Sequence, residues 1–190
     1  MREIVYTAFT SLDGVVDSPG GPVEGHRSGG WTFQDIEFLP EVYALKGEEL
    51  EETSALMFGR TSYQAFAPFW RDSADHAGYK DLPKYVVSTT LAEADLAEGW
   101  GETTILRSTD EVAQLKKGEG GAIFIHGSAE LARRLSEAGL IDRYHLLMYP
   151  VLLGAGKSLF SRADNDKRML KLRASEAYPN GILKLIYDVG

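Results

Sequence analysis

Short apolar runs and amphipathic segments alternate along most of the chain. Runs rich in Ile, Val, Phe and Tyr predict strands over Glu3–Phe9, Ala55–Phe58, Lys84–Ser88, Thr103–Leu106 and Gly121–Ile125. Apolar residues at helical spacing predict helices over Glu41–Ser54, Ser62–Phe69, Asp110–Lys116 and Ala129–Ala138. Strands that alternate with helices in this way are typical of a parallel sheet with helices on both faces.

The last part of the chain is richer in strands. Three further strands are predicted over Arg143–Tyr149, Lys167–Tyr178 and Gly181–Asp188. Asn-Gly at the start of the last one is a strong signal for a hairpin. The pattern therefore predicts an α/β fold of three layers, α/β/α, whose mostly parallel central sheet ends in an antiparallel C-terminal edge hairpin. A length of 190 residues suits one domain over residues 1–190.

Two polar segments interrupt this pattern. Ser11–Gly30 is rich in glycine and has no apolar period, and a loop of this length in a small domain usually serves a function. We expect it to close over a ligand and to exclude water. The acidic run Gly47–Glu52 predicts a solvated helix face. Thr109 and Ser128 stand where the N-cap residues of two helices are expected.

The charge balance narrows the range of partners. The net charge is −8, and an acidic chain lacks the clustered cations that binding to DNA or RNA needs. No window approaches the ~20 apolar residues of a membrane span, and the N-terminus does not resemble a signal peptide, so we expect a cytoplasmic protein. Cysteine is absent and the histidines show no metal-ligand spacing, so neither a thiol site nor a metal site is predicted.

Three of the predicted strands end in turns that are rich in Gly, Ser and Thr: Gly59–Ser62, Ser88–Thr90 and His126–Glu130. The carboxyl ends of parallel strands share one edge of the sheet, where ligands bind. Glycine lets the backbone approach a phosphate, and the first N–H groups and the dipole of a helix favour an anion. Arg60 adds a planar fork suited to a phosphate monoester such as the 2′-phosphate of NADP. Each turn alone has an ordinary structural explanation, but the three together are more specific.

Several short motifs, taken in order, resemble the dihydrofolate reductase superfamily, and within it the branch similar to the RibD C-terminal reductase domain of riboflavin biosynthesis. The motifs that carry the resemblance are Thr10–Gly14, Gly59–Tyr63, Val86–Thr90, His126–Leu131, Leu140–Tyr144 and Tyr149–Phe160. The G-x-G-x-x-G fingerprint of the Rossmann fold is absent. The resemblance implies a reductase fold that binds NADPH, acts on a small-molecule substrate and often forms homodimers.

The resemblance also implies which residues serve the cofactor. Those expected at its phosphates are Gly59, Arg60, Thr61, Ser88 and Thr89, with Thr90 nearby. Those expected along the pyrophosphate and the nicotinamide ribose are Gly127, Ser128, Ala129 and Glu130. Those expected to border the nicotinamide ring are Ala8, Leu12 and Gly14. His126 stands where dihydrofolate reductases have the first glycine of a Gly-Gly pair, so the close approach of the backbone to the cofactor depends on Gly127 and Ser128.

Two acids are candidates for protonating the substrate. Asp13 resembles the acid of the Ser-Leu-Asp-Gly turn of the riboflavin branch, which reduces a ribosylaminopyrimidine; its alternative role is plain turn chemistry. Asp35 follows Trp31 much as the pterin-binding acid of dihydrofolate reductases follows a tryptophan, with a spacing one residue shorter. In a buried apolar pocket Asp35 would bind an amidine-like edge; its alternative role is to cap a helix. The expected reaction is hydride transfer from C4 of NADPH to a C=N or C=O bond.

Other functions stay open on the sequence alone. A non-catalytic NADP(H)-binding or regulatory protein would keep the same cleft, and an oligomerisation domain with a vestigial cleft is a further alternative. Gly154–Ser158 resembles a phosphate-binding loop, but it lacks the full Walker spacing and follows an edge strand, so no triphosphate site is assigned to it. The C-terminal hairpin offers an edge that a homodimer can use.

Overall fold

An eight-stranded mixed sheet runs through the centre of the protein in the computed structural model, which describes residues 1–21, 25–160 and 167–190. The strands are β1 (Ile4–Ser11), β2 (Thr53–Gly59), β3 (Lys84–Val87), β4 (Thr103–Leu106), β5 (Ala122–His126), β6 (Arg143–Tyr149), β7 (Leu170–Ala177) and β8 (Leu183–Val189). They lie in the order β4-β3-β2-β5-β1-β6-β8-β7. The strands from β4 to β6 in this order are parallel, and β8 and β7 are antiparallel. The predicted fold class is therefore confirmed.

The helices in these ranges are α1 (Pro40–Glu52), α2 (Arg60–Trp70), α3 (Thr109–Lys117) and α4 (Ala129–Glu137), with short 3-10 helices at Ala74–Tyr79 and Glu93–Asp95. Pro40 stands at the first position of α1, where its missing N–H leaves no hydrogen bond unmade. Acids in the first turn of α3 and lysines in its last turn complement the helix dipole. No helix within these ranges has both the length and the apolar character needed to cross a membrane.

Two details of the helix starts differ from the prediction. The N-cap of α3 is Ser108, whose Oγ accepts a hydrogen bond from the backbone N–H of Glu111 at 3.2 Å, and Thr109 is the first helical residue. α2 begins directly after Gly59, two residues earlier than its predicted start at Ser62. Apolar spacing does not record the residue at which a helix begins, so both starts were predicted with an error of one or two residues.

The apolar core divides between the two faces of the sheet. α3 and α4 pack on one face, where Val112, Leu131 and Leu135 join strand residues such as Tyr6 and Met57. α1 and α2 cover the other face, and their buried residues Val42, Leu45, Tyr63 and Ala67 join strand residues that include Phe58, Phe124 and Leu147. β1 and β5 are buried along both faces, which explains their continuous apolar sequence.

The C-terminal hairpin forms at the predicted turn. The backbone N–H of Gly181 donates to the Tyr178 carbonyl at 2.9 Å, and that of Tyr178 donates to the Ile182 carbonyl at 2.9 Å. Gly181 has φ +86°, a left-handed conformation that side chains disfavour and that this type of turn requires. β7 begins at Leu170, three residues later than its predicted start at Lys167.

Candidate active site

Three strand ends meet at one edge of the sheet, as the turn motifs predict. β3 and β5 flank β2, so the turns after these strands are neighbours. The backbone N–H of Gly59 donates to Ser128 Oγ at 3.0 Å, and the backbone N–H of Ser128 donates to Ser62 Oγ at 3.0 Å. Arg60 Nη1 donates to Thr90 Oγ1 at 2.8 Å. Hydrogen bonds therefore join the turn after β2 to the turns after β5 and β3.

Gly127 and Ser128 are both left-handed, with φ +60° and +54°. A Cβ on Gly127 would also lie 3.2 Å from Phe66 Cζ, a tight contact that adds to the conformational reason for glycine. Ser128 is the N-cap residue of α4, as predicted, but its side chain makes no capping bond and Ser128 Oγ accepts the Gly59 N–H instead. Within the described residues no side chain caps the N-terminus of α4 or of α2.

These two helix starts differ from that of α3. The first N–H groups of any helix lack partners inside the helix, and Ser108 satisfies one of them in α3. At α2 and α4 the corresponding groups are left for another acceptor, and both helices begin at the shared edge. A phosphate chain fits this arrangement, because it brings several anionic oxygens to two positive helix ends.

The turn after β3 is shaped by two residues. Ser88 Oγ accepts from the backbone N–H groups of Thr90 and Leu91 at 3.2 and 3.0 Å, which leaves its own hydrogen for another acceptor. Arg107 Nη1 donates to the carbonyl oxygens of Ser88 and Leu91 at 2.9 and 2.8 Å. The sequence analysis missed Arg107, because it follows β4 and shares no motif with the turn that it supports. Arg60 and Thr89 are exposed beside this turn.

Asp13 lies in a turn that joins β1 to the segment after β6. Asp13 Oδ1 accepts from Ser11 Oγ at 2.6 Å and from the Leu153 N–H at 3.2 Å, and Oδ2 accepts from the Gly154 N–H at 2.8 Å. The bond from Ser11, with help from these backbone bonds, lowers the pKa of Asp13 below its ordinary value. The carboxylate is thus ionised and accepts three hydrogen bonds. This state fits a role in positioning the Leu12–Gly14 turn better than a role as a proton donor.

Asp35 does not meet the condition that its proposed role requires. Its side chain is exposed, and its backbone is left-handed with φ +57°. The structure therefore does not bring Asp35 into a buried pocket with Asp13. Trp31 does anchor the preceding loop, since its Nε1 donates to the Asp17 carbonyl at 2.8 Å. Residues 22–24 of the predicted closing loop lie outside the described residues.

A row of polar side chains crosses the sheet one residue below this edge. His126 ends β5 and is paired in register with Thr7 of β1, which is paired in turn with His145 of β6. All three are buried, and residues in register on neighbouring strands point to the same face. This face is the one that α1 covers, so the row lies directly under Lys46 and Glu49.

Glu49 is the centre of a buried polar cluster, which we define as Thr7, Lys46, Glu49 and His145. Glu49 is fully buried, and its Oε1 accepts from Thr7 Oγ1 at 2.7 Å and from His145 Nδ1 at 3.1 Å. Lys46 Nζ donates to Glu49 Oε2 at 3.0 Å and to Thr7 Oγ1 at 2.6 Å. Burial alone would raise the pKa of Glu49, but Lys46, His145 and Thr7 together hold it at about 2. The carboxylate is therefore charged at neutral pH.

Several buried polar atoms around Glu49 have no hydrogen-bond partner in the described part of the chain: His126 Nε2, His145 Nε2 and Tyr79 Oη. Burial lowers the pKa of His126 from 6.5 to about 3, and burial with the nearby charge of Glu49 raises the pKa of Tyr79. His126 therefore stays neutral. Unsatisfied polar atoms are rare in protein interiors, and several beside one buried carboxylate are typical of a site that receives a ligand or water.

The sequence analysis missed this cluster, and its prediction that Gly47–Glu52 forms a solvated face is wrong at Glu49. Glu48 and Glu51 are exposed, whereas Glu49 faces the sheet beside Val42 and Leu45. One signal was available, because Leu45 and Glu49 are four residues apart and so share a helix face. The partners Thr7 and His145 come from distant strands and carry no such signal.

The family model for the RibD C-terminal domain matches residues 2–184. The chain belongs to the RibD C-terminal domain family. The uncharacterized protein YyaP of Bacillus subtilis (strain 168) is 28% identical over 194 residues that cover 98% of this chain and 94% of YyaP. The predicted resemblance to this branch is confirmed. The family is one of reductases.

Solved structures agree with this RibD-type fold. A protein from Shewanella sp. PV-4 that is provisionally assigned to riboflavin biosynthesis superposes with a TM-score of 0.76 at 19% identity, covering 99% of both chains. Dihydrofolate reductase from Enterococcus faecalis, complexed with NADP(H), superposes with a TM-score of 0.62 at 15% identity, covering 99% of this chain and 96% of the enzyme. At these identities the likeness establishes the fold.

Proposed function

We propose that this protein is an NADPH-dependent reductase that transfers hydride to a C=N or C=O bond of a small heterocycle, pterin-like or ribosylaminopyrimidine-like. The observation that carries the proposal is the pair of uncapped helix N-termini, α2 and α4, joined through Ser62, Ser128 and Gly59 at one edge of the sheet. Membership in the RibD C-terminal family supports reduction as the type of reaction.

The pyrophosphate is assigned to the two helix starts. Gly59, Thr61, Gly127, Ser128, Ala129 and Glu130 line them. Backbone N–H groups and two helix dipoles favour the pyrophosphate charge. The left-handed pair at Gly127 and Ser128 lets the chain pass close to the ligand without a side chain in between.

The 2′-phosphate is assigned to the turn after β3. Arg60 can present a planar fork to it, and Ser88 and Thr89 can add hydroxyl donors. Arg107 holds the backbone of this turn through two carbonyl groups, so the hydroxyl groups keep their positions. The arrangement predicts a preference for NADPH over NADH, because only NADPH carries the extra phosphate.

The nicotinamide is assigned to the end of β1, beside Ala8, Leu12 and Gly14. When bound, the cofactor supplies the hydride. Asp13 fixes the Leu12–Gly14 turn against Leu153 and Gly154, and so fixes one wall of the site. His126 is buried and neutral, and it lies between the cofactor turns and the buried polar cluster.

A non-catalytic NADP(H)-binding protein is the second candidate. It is favoured by one observation: of the two predicted proton donors, Asp13 is ionised in a turn and Asp35 is exposed. The two candidates differ in turnover and share the cofactor site. A spectrophotometric assay of NADPH oxidation with dihydrofolate and with 5-amino-6-(5-phosphoribosylamino)uracil separates them, because only the reductase consumes NADPH with either compound.

The cofactor assignment is tested by Arg60→Ala. Loss of a charge-assisted hydrogen bond costs about 1.5–3 kcal/mol, so NADPH should bind roughly 10- to 100-fold more weakly while NADH affinity is unchanged. Arg71→Ala is the matched control, since Arg71 follows the same helix and pairs with Asp72 on the surface. Calorimetry measures both affinities, and an equal loss for NADPH and NADH would contradict the 2′-phosphate role.

A further inference from the structure

Lys46 is the member of the buried polar cluster through which a ligand can reach it. Glu49, Thr7 and His145 are almost fully buried, with exposures of 0%, 2% and 4%. The side chain of Lys46 keeps 25% of its surface exposed. Its ammonium group uses two donors, to Thr7 Oγ1 and Glu49 Oε2, and an ammonium group has three. One N–H is thus available on the exposed side.

The surroundings of that ammonium group are aromatic. Lys46 Nζ lies 5.1 Å from the centre of the Phe9 ring, and Phe9 stands two residues along β1 from Thr7 on the same face. Tyr43 packs against Phe9 and stacks on Phe38 at 5.1 Å between ring centres, and Phe38 is largely exposed. A flat ring with an oxygen at its edge matches an aromatic wall that has one charged donor at its base.

The position of Lys46 relative to the cofactor turns follows from the sheet register. Thr7, which accepts from Lys46, is paired with His126, and strands of a sheet lie about 4.8 Å apart. His126 directly precedes Gly127 and Ser128. The cluster therefore lies beside the end of β5, on the face of the sheet that α1 covers. A substrate bound there can contact the proposed nicotinamide region at the end of β1.

We propose that Lys46, held by Thr7 and Glu49, is the cation that contacts the nitrogen or oxygen of the reducible C=N or C=O bond at the edge of the substrate ring and stabilises the charge that develops on this atom during reduction. This inference rests on the proposed reductase function and assigns the proton donor that Asp13 and Asp35 do not supply. As hydride adds to the carbon of the C=N or C=O bond, the π electron pair moves to the nitrogen or oxygen. Lys46 then gives that atom a proton and regains one from water at its exposed side.

Glu49 is the positioning residue in this arrangement. Its carboxylate accepts from Lys46 Nζ and so fixes this group beside Thr7, and His145 fixes the carboxylate in turn. A purely structural role for Lys46, as the counter-ion that makes burial of Glu49 tolerable, is the competing explanation. The two explanations differ in what happens when both charges are removed together.

The experiment compares Lys46→Met, Lys46→Arg, the double variant Lys46→Met/Glu49→Gln and the control Lys171→Met, which removes an exposed lysine on the distant edge strand β7. For each, we measure the melting temperature, NADPH affinity by calorimetry, binding of 5-amino-6-(5-phosphoribosylamino)uracil and of dihydrofolate to the NADP⁺-loaded protein, and NADPH oxidation with each. The separate cofactor measurement distinguishes failure of the proposed function from failure of this inference.

We expect Lys46→Met to lower kcat/KM and probe affinity at least 100-fold, with NADPH affinity changed less than twofold. Lys46→Arg should recover part of the probe affinity, because it restores the charge. The double variant should recover thermal stability without recovering probe binding. The inference is overturned if the double variant regains activity, if Lys46→Met keeps wild-type probe binding, or if the wild type binds NADPH but neither probe.

Discussion

Two buried polar clusters join α1 to β6, and they differ in how completely their atoms are paired. In one, Arg143 donates to Glu3, Glu52 and Asp188, so that its guanidinium group is surrounded by carboxylates. In the other, Glu49 accepts from Thr7, Lys46 and His145, while His145 Nε2 has no partner among the described residues. Glu49 and Glu52 are about one helical turn apart, and Arg143 and His145 are two residues apart on one strand face.

The difference corresponds to the end of the sheet that each cluster occupies. Arg143 begins β6 at the amino end of the strands, and its carboxylate partners are 34% to 52% exposed. His145 lies two residues further along β6, in the row with Thr7 and His126, and His126 stands at the carboxyl end of β5. A complete ion pair network needs only a structural explanation, whereas incomplete pairing at the ligand-binding end of a parallel sheet indicates a site.

The largest effect predicted for a substitution is that of Glu49→Gln, which is compared with Glu52→Gln. Removing the charge of Glu49 leaves Lys46 and His145 without their buried anion, so we expect a loss of about 3 kcal/mol in the free energy of unfolding. Glu52 is 40% exposed and one of three carboxylates around Arg143, so its loss should cost less than about 1 kcal/mol. Urea unfolding measures both, and equal losses would remove the distinction between the clusters.

A separate effect, which needs no substitution, is expected in the pH dependence of stability. His126 stays neutral in the folded protein down to a pKa of about 3, whereas its ordinary value is 6.5, so the unfolded chain binds the extra proton in between. Stability should therefore fall as pH is lowered from 6.5 towards 3, with a slope of up to about 1.4 kcal/mol per pH unit. Burial also lowers the pKa of His76, which adds a smaller part in the same direction.

Glu49 acts in the same direction at lower pH. Its pKa is about 2 in the folded protein and ordinarily 4.5, so its stabilising effect is present above 4.5 and is lost as pH falls towards 2. His126→Phe should remove the contribution of His126 to the slope between pH 6.5 and 3, so that below pH 4.5 the contribution of Glu49 remains. Urea unfolding at a series of pH values tests this, and an unchanged slope in His126→Phe would contradict the assignment.

The smallest effect is expected for Thr7→Val, compared with Thr10→Val on the same strand. Thr7 Oγ1 accepts from Lys46 and donates to Glu49, so its loss should cost about 2 kcal/mol. Thr10 Oγ1 donates only to the adjacent Ser11 carbonyl among the described residues, and its loss should cost about 1 kcal/mol. Thermal unfolding measures the difference in stability between the two variants. A larger loss of stability for Thr10→Val than for Thr7→Val would contradict the role of Thr7 in the cluster.

The sequence predicts those parts of the molecule that short segments determine. Asn180 and Gly181 predict the hairpin because its turn needs a left-handed residue. The turns at Gly59, Ser88 and Gly127 predict the ligand-binding edge because they follow parallel strands, whose carboxyl ends lie at one edge of the sheet. The cluster around Glu49 was not predictable in this way. It joins residues from β1, α1 and β6 that only the register of the sheet brings together, and the helical spacing of Glu49 from Leu45 does not identify those partners.

Ser128 shows the same limit at the scale of one residue. Its position before a helix predicts a cap, but the folded chain uses its hydroxyl to join the turn after β5 to Gly59 of β2. The contact depends on β2 and β5 being neighbours, which follows from the strand order and not from local sequence. Site residues of this kind become visible only when the topology is known.

The central claim is that the edge formed by β2, β3 and β5 binds a phosphorylated dinucleotide. Calorimetric titration of the wild-type protein with NADPH and with NADH tests it most directly. We predict saturable binding of one NADPH per chain, at least roughly 10-fold tighter than NADH. No heat at saturating NADPH, together with no shift in the melting temperature, would contradict the claim.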